Sequence, residues 1–234
     1  MLYIVGLGLN EKGISLEGME VVKKCKKVYL ENYTVEFPYS KENLESTINK
    51  KVILSDRGFV ESFEVLEEAR KMDVALIIYG SPLMATTHIS LMQEAKESKI
   101  KVKVIHSASV LDAVSETGLQ LYKFGKITSI PGFEADSFVE TIRENQTIGA
   151  HSLILIDIGL DFEKAIEKLD NAAKKGNIKF GKFVVCSNLG SKKQRIRYGR
   201  IEILKEEDIK PPFCFIIPGK LHFVEKDFLE GFWT

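Results

Sequence analysis

Residues 79–88, YGSPLMATTH, set glycine, serine and proline at the end of the apolar run DVALIIYG, then place small or flexible side chains before His88. A plain turn needs fewer residues, so room is left at a strand end, and such room commonly admits a ligand. GLGLNEKG makes a similar opening after the first apolar run, LYIVG. Glu31, about twenty residues on, invites a dinucleotide reading in which G-x-G-x-x-G brings a helix N-terminus onto a pyrophosphate. The third glycine of that pattern would fall at residue 11, which is Glu11, and a carboxylate there repels a pyrophosphate. Gly13 comes two positions late, and Ser15 reads as the N-cap of the next helix. The glycines then serve either a turn or the close approach of an uncharged part of a small ligand.

Other chemistries find little support. Cys25, Cys186 and Cys214 are far apart and form no C-x-x-C pair. His88, His106, His151 and His222 are equally scattered, so no metal-binding spacing exists and no metal is expected. An odd, dispersed set of cysteines suits reduced thiols in a cytoplasmic protein. The N-terminus shows no signal-peptide pattern, and no apolar run is long enough to cross a bilayer. The 33 basic residues balance the 33 acidic ones, which argues against nucleic-acid and membrane-surface partners.

The elements that would carry these loops alternate between strand and helix. LYIVGLG, KVYLENY, KVILS, DVALIIYG and KVKVIH read as strands. SLEGMEVVKKC, KENLESTINK, the residues after Thr87, and FVESFEVLEEARKM read as helices, the last with Phe59, Phe63 and Leu66 on one face. Short apolar strands interleaved with amphipathic helices imply a mostly parallel sheet covered on both faces. In the second half, SLILIDI precedes a helix marked by Phe162, Ala165, Ile166, Leu169 and Ala173. KFVVCSNL and FCFIIPG read as strands, and QRIRYGRIEIL as a hairpin turning near YGR, which implies a mixed sheet. The length suits one or two domains. The expected architecture is two α/β domains, residues 1–110 and 111–234, with a cofactor cleft between them.

GLGL, GSPLMATTH, VIHSASVLDAVSETGLQLYKFG and IIPGKLHFVE, taken together and in this order, resemble the diphthine synthase family. That family lies within the tetrapyrrole-methylase-like S-adenosylmethionine-dependent transferases. The resemblance runs nearly from end to end, with a shorter loop around SIPGFEADSF and a shorter C-terminus. It implies a cytoplasmic homodimer that binds S-adenosylmethionine, releases S-adenosylhomocysteine, and methylates the amino group of a modified histidine on translation elongation factor two. Carried over residue by residue, it implies cofactor contacts at Leu9, Ser81, Met84, Ser109, Val110, Ile156, Leu189 and Phe213. Three positions depart from the family pattern: Ser81 stands where Gly-Asp-Pro is usual, SNLG replaces a string containing Ala-Arg, and Phe213 replaces a common histidine.

Methyl transfer from a sulfonium to an amine is an in-line displacement, driven mostly by positioning and desolvation, and requires no metal. No catalytic base is identified from the sequence. Several residues keep a plain alternative: Leu9, Val110 and Ile156 as core, Ser109 with Asp112 as a capping box, His88 in the first turn of a helix rather than as a proton shuttle, and His222 in either a catalytic role or a structural or interface one. Lys192, Lys193, Arg195, Arg197 and Arg200 form either a solvated edge or a docking surface for a protein substrate. Three other activities remain open: tetrapyrrole methylation on the same fold, a non-catalytic cofactor-binding protein, and a dinucleotide oxidoreductase.

Overall fold

A computed structural model describes residues 1–232, which divide into two compact units, Met1–Val110 and the remainder from Leu111. The first unit is built on strands β1 (Leu2–Gly6), β2 (Lys27–Glu31), β3 (Ile53–Ser55), β4 (Val74–Ile78) and β5 (Val102–Ile105). They form one sheet in the order β3-β2-β4-β1-β5, parallel throughout. Side chains alternate across a sheet, and both faces here are apolar. Val5, Ala75 and Ile77 pack on helices α1 (Leu16–Lys24) and α2 (Lys41–Ile48). Ile4, Leu76 and Ile78 pack with α3 (Arg57–Glu61), α4 (Glu64–Lys71) and α5 (His88–Glu97) on the other face. Ser15 caps α1, its hydroxyl accepting the Gly18 N–H at 3.1 Å, as the sequence predicts.

The run expected to make one helix through Phe59, Phe63 and Leu66 is instead broken. Phe63 has φ 65°, a left-handed conformation, and separates α3 from α4. A continuous helix would place Val60 well off the face of Val65 and Leu66. Resetting the phase lets all three be buried.

After α6 (Val110–Ala113), the second unit carries β6 (Thr128–Ile130), α7 (Phe138–Thr147), β7 (Ser152–Ile156), α8 (Phe162–Lys175), β8 (Phe183–Ser187), β9 (Arg195–Gly199), α9 (Ile201–Leu204), β10 (Phe213–Ile217) and α10 (Phe223–Glu230). Its sheet order is β6-β7-β10-β8-β9. β6 and β7 are parallel, while β10 runs antiparallel to β7 and β8. The sheet is mixed, as expected. One face packs on α7 and α8 around Phe162, Phe183, Phe213 and Phe215, whose rings meet mainly edge to face. β6, α7 and α10 lie outside the strands and helices expected from the sequence.

The expected hairpin at YGR does not form. β9 pairs antiparallel with β8, and the residues after Arg200 turn into α9. Ile201 and Leu204, spaced i, i+3, face the core, whereas Ile203 is exposed. The helical period therefore governs this segment, not the alternation that suggested a strand.

Candidate functional site

In an open parallel sheet the carboxyl ends of the strands carry the ligand-binding loops. Here the loops after β1, β4 and β5 are drawn together by glycines. The Gly8 N–H donates to the Gly80 carbonyl at 3.2 Å, and the Gly80 N–H donates back to Gly8 at 2.9 Å. A Cβ on Gly6 would lie 2.6 Å from the Gly80 oxygen and 3.0 Å from both Pro82 Cδ and Ser107 Cβ. Only glycine permits that approach. The Ser107 hydroxyl donates to the Gly13 carbonyl at 2.8 Å, tying the third loop to the first.

These loops hold all five of the residues expected from the first unit. Leu9 is buried, and its carbonyl accepts the Tyr79 hydroxyl at 3.1 Å. Ser81 and Met84 are half-buried within one tight turn, where the Met84 N–H donates to the Ser81 carbonyl at 3.1 Å. Ser109 is buried beside Gly80, and Val110 opens α6.

The loop after β2 joins this edge. Phe37 packs edge to face on Tyr79 and on Tyr39. The Tyr33 hydroxyl lies 3.5 Å from His88 Nε2, and His88 Nδ1 lies 3.2 Å from the Pro82 carbonyl. A carbonyl can only accept, so Nδ1 carries the proton and Nε2 accepts from Tyr33. Burial lowers the pKa of His88. His88 is thus a neutral brace at the start of α5 that fixes the Gly-Ser-Pro loop. Glu31, at the end of β2, is fully buried. Burial pushes its carboxyl up to about 7, against the pull of Thr34, the Tyr33 N–H and Arg57. Its traces in the sequence are its spacing from the first glycine loop and a carboxylate closing the apolar run Val28, Tyr29 and Leu30.

In the second unit, Ile156 ends β7, Phe213 begins β10 and Leu189 follows β8. Cys214 pairs with Leu155 and Phe213 with Ser187, so the three lie along one edge of that sheet. Phe213 and Leu189 are buried, and Phe213 belongs to the aromatic core. Ile156 is half-buried against that core.

The strings TGLQLYKFG and PGKLH meet in a polar knot inside the second unit. The buried Glu225 carboxylate accepts the Gln120 N–H at 2.9 Å and the His222 N–H at 2.7 Å, and is paired with Lys123. His151 accepts the Gly219 N–H on Nδ1 at 2.9 Å, so its Nε2 carries the proton and donates to Glu225 at 3.1 Å. Burial alone would raise the pKa of Glu225, but Lys123 and these donors outweigh it and pull it to about 2. His222 is the N-cap of α10 in a capping box with Glu225. Of its two expected roles, the structural one is what the geometry displays. In the basic run, Arg197 pairs with Glu207 and Arg195 donates to the Asp208 carbonyl, while Lys192, Lys193 and Arg200 are exposed.

Among the described residues no group of His, Cys, Asp and Glu could hold a metal ion, and no helix is long and apolar enough to cross a membrane. The fold and the strand-end loops are those of a methylase: residues 1–205 match the family model for tetrapyrrole (corrin/porphyrin) methylases, and the chain belongs to that family. Within it, the chain is 38% identical to the diphthine methyl ester synthase of Schizosaccharomyces pombe, covering 99% of this chain and 94% of the relative. It is 39% identical to the diphthine synthase of Methanocaldococcus jannaschii, covering 98% of each. A crystal structure of a diphthine synthase superposes with a TM-score of 0.92 at 33% identity, covering 99% of this chain and 95% of that one. The protein is a methyltransferase of the diphthine synthase type.

Proposed function

We propose that the protein methylates the amino group of a modified histidine on translation elongation factor two in diphthamide biosynthesis, with S-adenosylmethionine as methyl donor. The observation that carries this reading is the glycine-pinched edge of the first sheet, where Leu9, Ser81, Met84, Ser109 and Val110 gather on three adjoining loops. Its chemistry suits the donor: apolar Leu9, Met84 and Val110 for the adenine and thioether portions, and serine hydroxyls and loop backbone for the polar ones. No side chain at residue 81 offers a charge to the donor's ammonium, so that contact falls to backbone carbonyls. Ile156, Leu189 and Phe213 are proposed to contribute from the second unit. When bound, the donor supplies an electrophilic methyl on a sulfonium. The chain's own part is to hold the acceptor nitrogen in line and exclude water.

The protein is further proposed to act in the cytoplasm as a homodimer, with Lys192, Lys193 and Arg200 docking the factor. The name of the Schizosaccharomyces pombe relative specifies a methyl ester, so a carboxylate oxygen is a second acceptor chemistry for this site. The test is mass spectrometry of elongation factor two bearing the amino-carboxypropyl histidine, after incubation with the protein and donor. The expected result is stepwise gain of methyl mass, and no gain overturns the reading. Mild alkali then removes ester methyls and leaves N-methyls in place. Binding of NAD but not of S-adenosylmethionine by calorimetry would favour the oxidoreductase reading instead.

A further inference from the structure

The first unit contains a carboxylate that its own fold leaves half satisfied. Glu31 Oε2 accepts the Thr34 hydroxyl at 2.9 Å and the Tyr33 N–H also favours the carboxylate, but Oε1 is buried without a hydrogen-bond donor among the described residues. Burying such an oxygen is costly, so its retention at the end of an apolar strand calls for a partner. β2 lies beside β4, so Glu31 stands at the carboxyl end of the sheet, one strand from the Gly-Ser-Pro loop. The braces Tyr33–His88 and His88–Pro82 tie its loop to that one. Thr86 Oγ1, on the Gly-Ser-Pro loop, is also buried without a partner among the described residues.

The neighbouring cation does not fill the role. The Arg57 guanidinium sits over the Tyr33 ring, 5.2 Å from its centre, and pairs with Glu61 at 3.3 Å. The titratable and charged groups around Glu31 are therefore Tyr33 on its own loop, Arg57 and Glu61 on α3, and neutral His88 on α5.

We propose that Glu31 Oε1 receives the acceptor amine and takes its proton, making Glu31 the base of the transfer and an alkylammonium its ligand. This rests on the functional reading above. The N–H bond of the ammonium breaks as an O–H bond forms on Oε1, leaving a lone pair on nitrogen. That pair forms the N–C bond as the C–S bond of the donor substrate breaks, and the C–S electrons remain on sulfur. A carboxyl raised to about 7 by its burial is matched to this exchange near neutrality.

The test compares the native protein with Glu31→Gln and Thr34→Val. Methyl transfer to elongation factor two bearing the amino-carboxypropyl histidine is followed across pH, with donor affinity by calorimetry and thermal melting alongside. The native kcat is expected to fall as pH drops through about 7. Glu31→Gln should lower kcat about 100-fold or more and abolish that limb, with donor affinity and fold retained. Thr34→Val removes a hydrogen bond that favours the carboxylate, so the limb should move to higher pH. Native kcat and pH profile in Glu31→Gln would overturn the role of Glu31 alone. Loss of donor binding or of folding in that variant would also overturn it, assigning a structural role. No transfer by the native protein overturns the functional reading, and this inference with it.

Discussion

Glu31 and Glu225 are both buried carboxylates, and their surroundings push them in opposite directions. Glu225 has a full set of donors and is held near 2, below its ordinary 4.5. Its contribution to stability is therefore complete above about pH 4.5 and is lost as pH falls towards 2. Removing one side of such a pair leaves Lys123 without its partner, so Glu225→Ala should cost about 3–5 kcal/mol in urea unfolding at pH 7. Glu31 lies above its ordinary 4.5, at about 7. The fold keeps it neutral over a range where the unfolded chain is charged, so it costs stability as pH rises through that window. Glu31→Gln should unfold later than the native protein at pH 8, by at most about 3 kcal/mol, with the gap vanishing near pH 4. Comparing urea midpoints at the two pH values checks both size and sign.

At the scale of elements, the strand-end loops work because their backbones touch. A methyl on Gly6 meets the Gly80 carbonyl and the Pro82 ring, neither of which can swing aside as a long side chain would. Gly6→Ala should cost about 1–3 kcal/mol in stability and weaken binding of S-adenosylmethionine, read by calorimetry. Ser81→Asp probes the same loop from the ligand side. If backbone alone holds the donor's ammonium, the added carboxylate should tighten binding about tenfold, the worth of one charge-assisted hydrogen bond. Unchanged affinity would place the ammonium away from residue 81. The elements themselves were legible wherever a single period governed: α1 with its Ser15 cap, β4 with its apolar run, α8 with its continuous face. They were illegible where burial on a third element set the phase, at Phe63 and at Ile201–Leu204.

For the whole molecule, equal numbers of acidic and basic residues leave no net charge to steer a partner over long range. Attraction of a protein substrate then depends on local patches. Arg197 is paired with Glu207 and the exposed Arg195 is held by the Asp208 carbonyl; Lys192, Lys193 and Arg200 are the other exposed members of the basic run. Reversing these three charges should raise KM for elongation factor two several-fold at low salt, leave kcat unchanged, and lose its effect as salt rises. Steady-state kinetics at two ionic strengths decides this.

The sequence by itself determined the alternating α/β pattern, the roomy glycine turns and the absence of a metal-ligand spacing, because periodicity, turn chemistry and ligand spacing are local properties. The resemblance added the family and the order of its motifs. The tertiary structure decided what those motifs do. TGLQLYKFG and PGKLH close a polar knot around Glu225 and His151, groups 74 residues apart in the chain. Glu31 became a candidate base only when its neighbours were known, since a carboxylate's proton affinity depends on burial and on donors from other elements. Sequence spacing carries no record of those neighbours.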